Sequence, residues 1–578
     1  MPSNRHIAQA LDILADMMEL DGANIYKTIA HRKAARRVAE SNFSIKEMAD
    51  AGTLTELPDI GDAIAAKIRE LIDTGRLAEL DEYKQKFPPD LVRIQKVHGI
   101  GPKTARKVWD QLGVSSLDEL EEAGREGRIA GLPGMGQRTE ENVLKAIKQL
   151  KERGTRLLLG EALPVAEEVT EALASLPEAR NVTCASSVRR MKETVKDIDI
   201  IATASEPGAL TKAFSTMPIV EEVTGLGTTK CSIRTYTGIQ IDLRVVPDDQ
   251  YGNLLQHFTG SAAHNVALRE LAIEKGFKVS EYGVEETGAG KMHHCATEYE
   301  VYRLLGLQFI PPELREDRGE IEAAAAGAVP GLIEAGDLKG DLHVHSKWSD
   351  GNAGIRDMAL AARDRGFKYI AVADHSQSLA VARGLTPERL KQQLEEIEEL
   401  NEELKGFHIF TGMEVDIKAD GSLDLPDDDL ALLDFVTVSI HSGFNQSREQ
   451  IIARLVAAME KPFVRAIGHP TGRLINRRDP YEVDVETVIE VAARTGTALE
   501  VNAHYERLDL DDVHARAAQE AGVKLAVNSD AHTPAGFDLL KYGIATARRG
   551  WVRPETVLNT LPLRELQALL KQPKKPAA

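Results

Sequence analysis

The apolar runs Asp197 to Ala202 and Gln240 to Val246 have the every-second-residue rhythm of strands, and helical stretches such as Ala166 to Leu176 lie among them. A mixed region therefore begins at about Arg156. A second begins at Asp341, after the Ala-, Gly- and Pro-bearing segment Ile321 to Gly340, which reads as a linker. In it, short β-like runs alternate with helical ones: Tyr369 to Ala373, His408 to Thr411, Phe435 to Ile440, Ala498 to Asn502 and Lys524 to Asn528. That alternation predicts a parallel sheet closed or flanked by helices. The Gln/Glu/Leu-rich run Lys391 to Lys405 reads as a solvated helix, and the acidic stretch Asp424 to Asp429 as a loop.

Before Arg156 the chain repeats itself. Leu57-Pro-Asp-Ile-Gly61, Val97-His-Gly-Ile-Gly101 and Leu132-Pro-Gly-Met-Gly136 each precede a helix-like stretch with basic residues near its start. These are Lys67 and Arg69, then Lys103, Arg106 and Lys107, then Arg138. Glycines such as Gly61, Gly99, Gly101, Gly134 and Gly136 permit tight turns and leave backbone N–H groups open to a phosphate, with a helix N-terminus behind them. One such hairpin is more often an ordinary helix connection; three followed by basic side chains point to contact with a nucleic-acid backbone without base readout.

Length and charge agree with this organisation. The 578 residues exceed one hydrophobic core and suggest about four units at roughly 150 residues each. Apolar residues are 43% and charged residues 28%, so wholesale disorder is excluded. The net charge of −19 argues against polyanion binding by the whole surface, yet residues 1–155 hold 24 basic and 25 acidic groups and are nearly neutral. Cys184, Cys231 and Cys295 follow no disulfide or zinc-finger spacing, which suits a reducing, cytoplasmic compartment. There is no signal-peptide core, and no run approaches the roughly 20 apolar residues of a membrane helix.

Asp197 and Asp199 lie two residues apart on a predicted strand and so share a face, and Asp242 sits on a second strand among apolar neighbours. Burying three acids together is costly unless cations neutralise them, and two divalent metals would do so while serving in-line displacement at phosphorus. A lone Asp-x-Asp is weak evidence. Upstream, Ser186-Ser187-Val-Arg189-Arg190 supplies hydroxyl and guanidinium groups suited to phosphates.

With Ser187-Val-Arg-Arg-Met-Lys-Glu-Thr-Val-Lys-Asp-Ile-Asp199, Asp242, and His257-Phe-Thr-Gly-Ser261 followed by Asn265 and Arg269, the chain resembles the family X DNA polymerases over approximately residues 1 to 317. The resemblance implies an α-helical N-terminal DNA-end-binding domain with helix-hairpin-helix motifs (1–90), fingers (91–155), an α+β nucleotidyltransferase palm (156–246) and a thumb (247–317). It implies Mg²⁺ or Mn²⁺ on Asp197, Asp199 and Asp242, with Asp242 accepting the primer hydroxyl proton. Ser187 and Arg190 would hold the triphosphate, His257 and Phe258 the sugar, and Asn265 and Arg269 the base pair and template minor groove, with Ser186 and Gly260 also in the nucleotide site. Lys27, Lys67, Lys103 and the hairpin glycines would contact DNA. Three departures stand out. Ser186 replaces a usual Gly, Gln240 stands where an Arg is common, and His257 replaces a Tyr. Lys67 matches the Schiff-base lysine of the family's lyase, but Ala63 occupies a position that is often Lys, leaving fewer cations to lower an amine pKa.

Nine of the sixteen histidines follow Asp341, most at strand ends. His343 and His345 alternate along one strand and so aim at a common point, as do Asp530 and His532. One such His is usually a surface or core residue; this many with Glu414, Asp350 and Asp530 are hard to explain without metal. The donor mix suits Mn²⁺, Zn²⁺ or Fe²⁺ in a cluster that activates water for attack on phosphorus.

The order resembles the polymerase and histidinol phosphatase (PHP) domain, a distorted (β/α)7 barrel, over 341–570, with 318–340 as linker. The resemblance implies nine ligands, His343, His345, Asp350, His375, Glu414, His441, His469, Asp530 and His532, with Asp350 in place of a His tilting preference toward Mn²⁺. Both domains together resemble the bacterial branch of family X. They imply gap filling in repair (base excision, end joining), with a 3′→5′ exonuclease and AP-endonuclease or 3′-end processing. Gapped or nicked DNA and deoxynucleoside triphosphates would be the partners of a monomer that touches no membrane. Arg473, Arg477 and Arg478 are read either as holding DNA near the second centre or as a solvated loop. The alternative is a metal-dependent phosphoesterase whose N-terminal half only binds DNA.

Overall fold

Ile198, Ile200 and Ala202 on one strand and Ile241, Leu243 and Val245 on its neighbour are buried, and this shared apolar face is what pairs the strands Asp197–Ala204 and Gln240–Val245 in parallel, with Ile198 opposite Ile241. They form the centre of a five-stranded sheet. Its order is Ala179–Cys184, Asp197–Ala204, Gln240–Val245, Lys230–Thr235, Val220–Leu226, and every other pairing is antiparallel. The helices Leu159–Ala174 and Pro207–Ser215 pack on it. The first starts seven residues before the predicted Ala166, because Leu159, Ala162, Leu163, Ala166, Val169 and Leu173 continue one buried face at helical spacing.

The structure, a computed structural model, describes residues 4–39, 45–57, 59–88, 90–95, 97, 100–153, 156–235, 238–379 and 382–575. They fall into two compact units, 1–155 with 217–219, and 156–216 with 220–578. The first is all helical. Leu11, Leu14 and Met18 of the helix Asn4–Leu20 lie in one apolar cluster with Ile64 and Ile68 of Asp62–Thr74, Ala105 and Val108 of Pro102–Leu112, and Val143 and Ile147 of Gln137–Arg153.

In the second unit, the palm sheet is followed by the helices Tyr251–Thr259 and Ala262–Glu274, a three-stranded antiparallel sheet and the helix Glu298–Leu304. Their core contains Leu268, Val284, Val301, Tyr302 and Ile310, and also Ile321, Ala324 and Leu332. The segment 318–340 is therefore no loose linker. It forms the helix Glu320–Ala325, and the carboxylate of Glu320, wholly buried, lies 2.7 Å from His264 Nδ1.

Seven parallel strand positions make the barrel: Gly340–Val344, Tyr369–Val372, then His408–Phe410 continuing across Thr411 into Gly412–Asp416, then Phe435–Ser439, Val464–Ile467, Ala498–Asn502 and Leu525–Asn528. A parallel bridge from Val344 to Ala531 closes first strand to last. All five residues of Gly340–Val344, Phe435–Ser439 and Ala498–Asn502 are buried, as strands covered on both faces must be. The run read as a solvated helix is Pro387–Glu403, but it is amphipathic, with Leu390, Gln393 and Ile397 buried. The acidic 424–429 segment includes the short helix Asp427–Leu430. No helix among the described residues is long and apolar enough to cross a membrane.

Candidate functional site

The parallel register places Asp199 directly beside Asp242, and Asp197, two residues earlier, projects from the same face. Farther along this face Ile201 is buried with Ala185, Tyr251, Leu254 and Leu255, which anchors the helix carrying His257 and Phe258 over the carboxylate side of the sheet. Burial, and then the charges of Asp197 and Asp242, push the Asp199 carboxyl up to about 6. Asp242 Oδ1 is buried with no hydrogen-bond partner, while Oδ2 accepts from Gln240 Nε2 at 3.1 Å. The amide at 240 thus supplies a donor where a cation is common. An orphaned carboxylate oxygen within a crowded acidic triad fits a divalent-metal site.

Ser186 adopts φ +54°, the left-handed region that favours glycine, and its Oγ is buried beside the Asp199 carboxylate, whose charged form it favours. Ser187 is half-buried. Arg190 is held inside the protein: Nε donates to Glu316 Oε1 at 3.0 Å and Nη1 donates to the Thr259 carbonyl. Its neighbour Arg189 pairs through both terminal nitrogens with Glu298, at 2.9 and 2.6 Å. Gly260 has φ +68°, and a Cβ there would come within 3.1 Å of Arg190 Nη1. His257 and Phe258 are half-buried with ring centroids 5.3 Å apart, and burial lowers the His257 pKa. Asn265, expected at the base pair, is turned inward. Its Nδ2 donates to the His257 carbonyl at 2.8 Å and its Oδ1 accepts from Gln256 at 2.9 Å, so a base contact requires giving up that pairing. Arg269, one turn on, is exposed.

The nine late donors converge. His345, Asp350, His375 and His532 form one group whose ligand atoms lie within 4.8 Å of one another, His343, His345 and Asp530 a second, and His375, Glu414 and His441 a third. His469, the ninth, has Nε2 2.8 Å from Glu414 Oε1. Glu414 is central, with its other oxygen 2.9 Å from His375 Nδ1. His343 Nε2, both ring nitrogens of His345 and His469 Nδ1 are buried without hydrogen-bond partners. Such unsatisfied imidazoles, crowded with three carboxylates, fit a cluster of divalent ions. Two of the nine donors sit in left-handed backbone, His469 at φ +28° and Asp530 at φ +55°, strain of the kind kept at functional positions.

Burial and the neighbouring His532 push the His345 pKa down to about 3, which leaves its ring neutral and able to ligate. Burial also works against charge on His441, but Glu414 and Asp416 overcome it and raise that pKa to about 9. Two supporting acids escaped the sequence reading. Glu500 accepts from His343 Nδ1 at 2.7 Å, and Asp416 Oδ1 lies 2.9 Å from His441 Nδ1. Each fixes a ring so that Nε2 faces the centre. The signal was present: Glu500 and Asp416 are acids on strands otherwise buried throughout.

Among the three hairpins, Ile60, Ile100 and Met135 donate backbone N–H bonds to Leu57, Val97 and Leu132, at 3.2, 2.8 and 3.0 Å, so one turn recurs. Gly61 and Gly101 are helix N-caps with open space above them, as at Gly136. Gly134 has φ +82° and Asp59, its counterpart, φ +66°; Gly99 lies outside the described residues. Lys103 is exposed. Arg138 at the third hairpin is exposed as well, but several other basic residues are less free than expected. Arg106 is paired with Asp110 at 2.8 Å and stacked on Phe87 and Trp109, and Lys107 donates to the Pro133 carbonyl. Lys27 and Lys67 share Glu79, at 3.1 and 2.7 Å, and Lys67 also donates to His31 Nε2 at 2.9 Å.

Arg473, Arg477 and Arg478 do not form a free basic patch. Arg473 pairs with Glu193 at 2.8 Å, Arg477 with Glu506 at 3.0 Å, and Arg478 donates to the Gly472 carbonyl and stacks on Phe444. Neighbouring acids, carbonyls and rings have already taken the positive groups that sequence alone left open.

Comparison with known proteins bears on both sites. Family models match as a helix-hairpin-helix domain over residues 2–77, a SAM-like helix-hairpin-helix tandem over 91–149, a DNA polymerase beta thumb over 254–316 and a PHP domain over 341–504. The chain is 41% identical to the DNA polymerase/3′-5′ exonuclease PolX of Bacillus subtilis, over 98% of this chain and 99% of that one. It is 25% identical to DNA polymerase lambda of Rattus norvegicus over 54% of this chain and 56% of the relative. It is also 29% identical to a probable phosphatase of Thermoanaerobacter over 38% of this chain and 89% of the relative. The 41% identity over nearly the whole of both chains, with the helix-hairpin-helix, thumb and PHP matches, gives one assignment: the chain belongs to the family X DNA polymerases that carry a C-terminal PHP exonuclease domain.

Proposed function

We propose that this chain fills short gaps in DNA at the aspartate triad and trims 3′ ends at the barrel centre, acting as a monomer in cytoplasmic repair on gapped or nicked DNA with deoxynucleoside triphosphates. AP-endonuclease or 3′-end processing would belong to the second centre. Asp197, Asp199 and Asp242 would hold Mg²⁺ or Mn²⁺, and the nine late donors Mn²⁺, Zn²⁺ or Fe²⁺, with Asp350 favouring Mn²⁺. When bound, the metals supply charge neutralisation and Lewis acidity at phosphorus. The protein's own groups do the rest. Asp242 Oδ1 accepts the primer hydroxyl proton, Ser187 and Arg190 orient the triphosphate, and His257 and Phe258 flank the sugar. In the barrel, Glu500 and Asp416 hold His343 and His441 in one tautomer.

The observation that carries the polymerase reading is the Asp199–Asp242 register, which gathers three carboxylates on one face where divalent cations would neutralise their mutual repulsion. The second reading, a phosphoesterase with a DNA-binding N-terminal half, draws on Ser186 at φ +54° and on the Arg190–Glu316 pair, both of which burden a triphosphate site. A labelled gapped duplex with Mn²⁺ separates them. Asp199→Ala should abolish extension and leave shortening, and His343→Ala should do the reverse; shortening with no extension by the unaltered protein would establish the second reading.

A further inference from the structure

Arg190 is held by the thumb, through Glu316 and the Thr259 carbonyl, and is also reached from the barrel. Glu316 Oε1, 3.0 Å from Arg190 Nε, is also 3.0 Å from Nη1 of Arg549, the last residue of the barrel helix Leu540–Arg549. The same Nη1 donates to the backbone carbonyl of Arg190 at 2.7 Å. Arg549 Nη2 pairs with barrel residue Asp512 at 2.7 Å, and Asp512 accepts from Arg318 at 3.1 Å. Arg190, Glu316, Arg549, Asp512 and Arg318 thus form an alternating chain of charges, with Arg549 4% exposed at its middle. Every guanidinium nitrogen of Arg190 except Nη2 is committed.

We propose that Arg549 is a positioning residue for nucleotide incorporation: the exonuclease barrel fixes the Arg190 side chain, through Glu316 and through the Arg190 carbonyl, so that Nη2 is presented to the incoming triphosphate. This rests on the reading of Arg190 as a phosphate ligand. The geometry requires arginine, because one planar fork reaches a carboxylate and a carbonyl through one nitrogen and a second carboxylate through the other. A lysine keeps the charge and cannot span all three. The consequence is one-way dependence, in which the polymerase site leans on the nuclease domain for an element it lacks, while the nine donors of the nuclease touch none of these residues.

The test uses the full chain on a one-nucleotide gap, with KM and kcat for the deoxynucleotide and 3′-shortening measured on each variant. Arg549→Met should raise KM about tenfold while kcat changes less than about threefold, and shortening should persist. Arg549→Lys should show the same split at smaller size, and covers the case in which the Met variant fails to fold. Glu316→Gln combined with Arg549→Met should be no worse than the more impaired single variant, because both break one link. An unchanged KM in folded Arg549→Met, alongside a raised KM in Arg190→Met, would overturn the proposal alone. Parallel loss of kcat and shortening with a lowered melting temperature would also overturn it, as a merely structural effect. An unchanged KM in Arg190→Met would remove the phosphate reading and the proposal with it.

Discussion

Glu500 grips His343 and His469 together: one carboxylate oxygen accepts from His343 Nδ1 at 2.7 Å and the other from the His469 backbone N–H at 2.8 Å. Asn528 and Asn502 donate to the same group at 2.8 and 3.2 Å. Removing its charge without changing its shape should loosen two ligands at once. We expect Glu500→Gln to weaken metal retention in the barrel by about 10- to 100-fold, read as metal content after dialysis and as 3′-shortening at limiting Mn²⁺. Extension should be unaffected. Full metal retention by the variant would contradict this assignment.

Ser186 carries a side chain where the backbone, at φ +54°, favours none. Ser186→Gly should relieve strain of about 1 kcal/mol, partly offset by the entropy gained in the unfolded chain. The denaturation midpoint of the palm should stay the same or rise. A clear fall would mean that the buried hydroxyl has a partner worth more than the strain.

Two basic residues three apart on one helix should behave oppositely. Lys103 is exposed at the second hairpin, so Lys103→Ala should weaken binding to gapped DNA evenly across sequences and reduce the salt slope by about one counterion. Arg106 is wedged between Asp110, Phe87 and Trp109, so Arg106→Ala should lower stability by about 1 kcal/mol through lost packing. Equal effects of both on DNA affinity, with stability untouched, would refute the distinction.

The buried His264–Glu320 pair gives a pH dependence with a definite sign. His264 Nδ1 is 2.7 Å from Glu320, and Nε2 is 2.9 Å from the Tyr302 hydroxyl. A neutral ring donates to the first and accepts from the second. Burial lowers the His264 pKa despite Glu320, so below about 6.5 the unfolded chain takes up a proton that the folded one refuses, and stability falls as pH falls. Glu320, lowered by His264 and backbone N–H bonds against the effect of burial, adds stability that is full above about pH 4.3 and is lost as pH drops through its folded value. Both slopes have one sign. The melting temperature should fall from pH 7 to pH 5, and His264→Gln should flatten that dependence; an identical slope in the variant would rule the pair out as its source.

How far these sites could be read in advance follows from the range of the interactions. The shared face of Asp197 and Asp199 was legible because a two-residue period fixes it whatever surrounds the strand, and a gathering of late histidines and acids because strand ends of one barrel share a rim, whereas the set of nine came from the family resemblance. Pairings across long stretches of chain were not legible. Nothing local to Arg190 announces Glu316, 126 residues away, and nothing local to Arg473 announces Glu193, 280 residues away. Arg190 was therefore read through its phosphate role alone, and Arg473 either as a DNA contact or as part of a solvated loop. The pairing of the Asn265 amide with Gln256 and His257 was not legible either, although all three lie within one helix pair. Glu500 gave a local signal as an acid on a buried strand, but its partner His343 lies 157 residues away and nothing local names it.

The way residues 318–340 are built in bears on any attempt to study the two activities apart. Ile321, Ala324 and Leu332 complete the thumb core, Trp551 of the barrel lies in that same cluster, and the Ile333 N–H donates to the Val552 carbonyl at 3.0 Å. A cut at residue 317 would strip apolar cover from the thumb, and a cut at 340 would leave Trp551 without its bed. A severed half that loses activity would then report damaged folding, so inactivating point changes in the intact chain are the sound way to assign each activity to its centre.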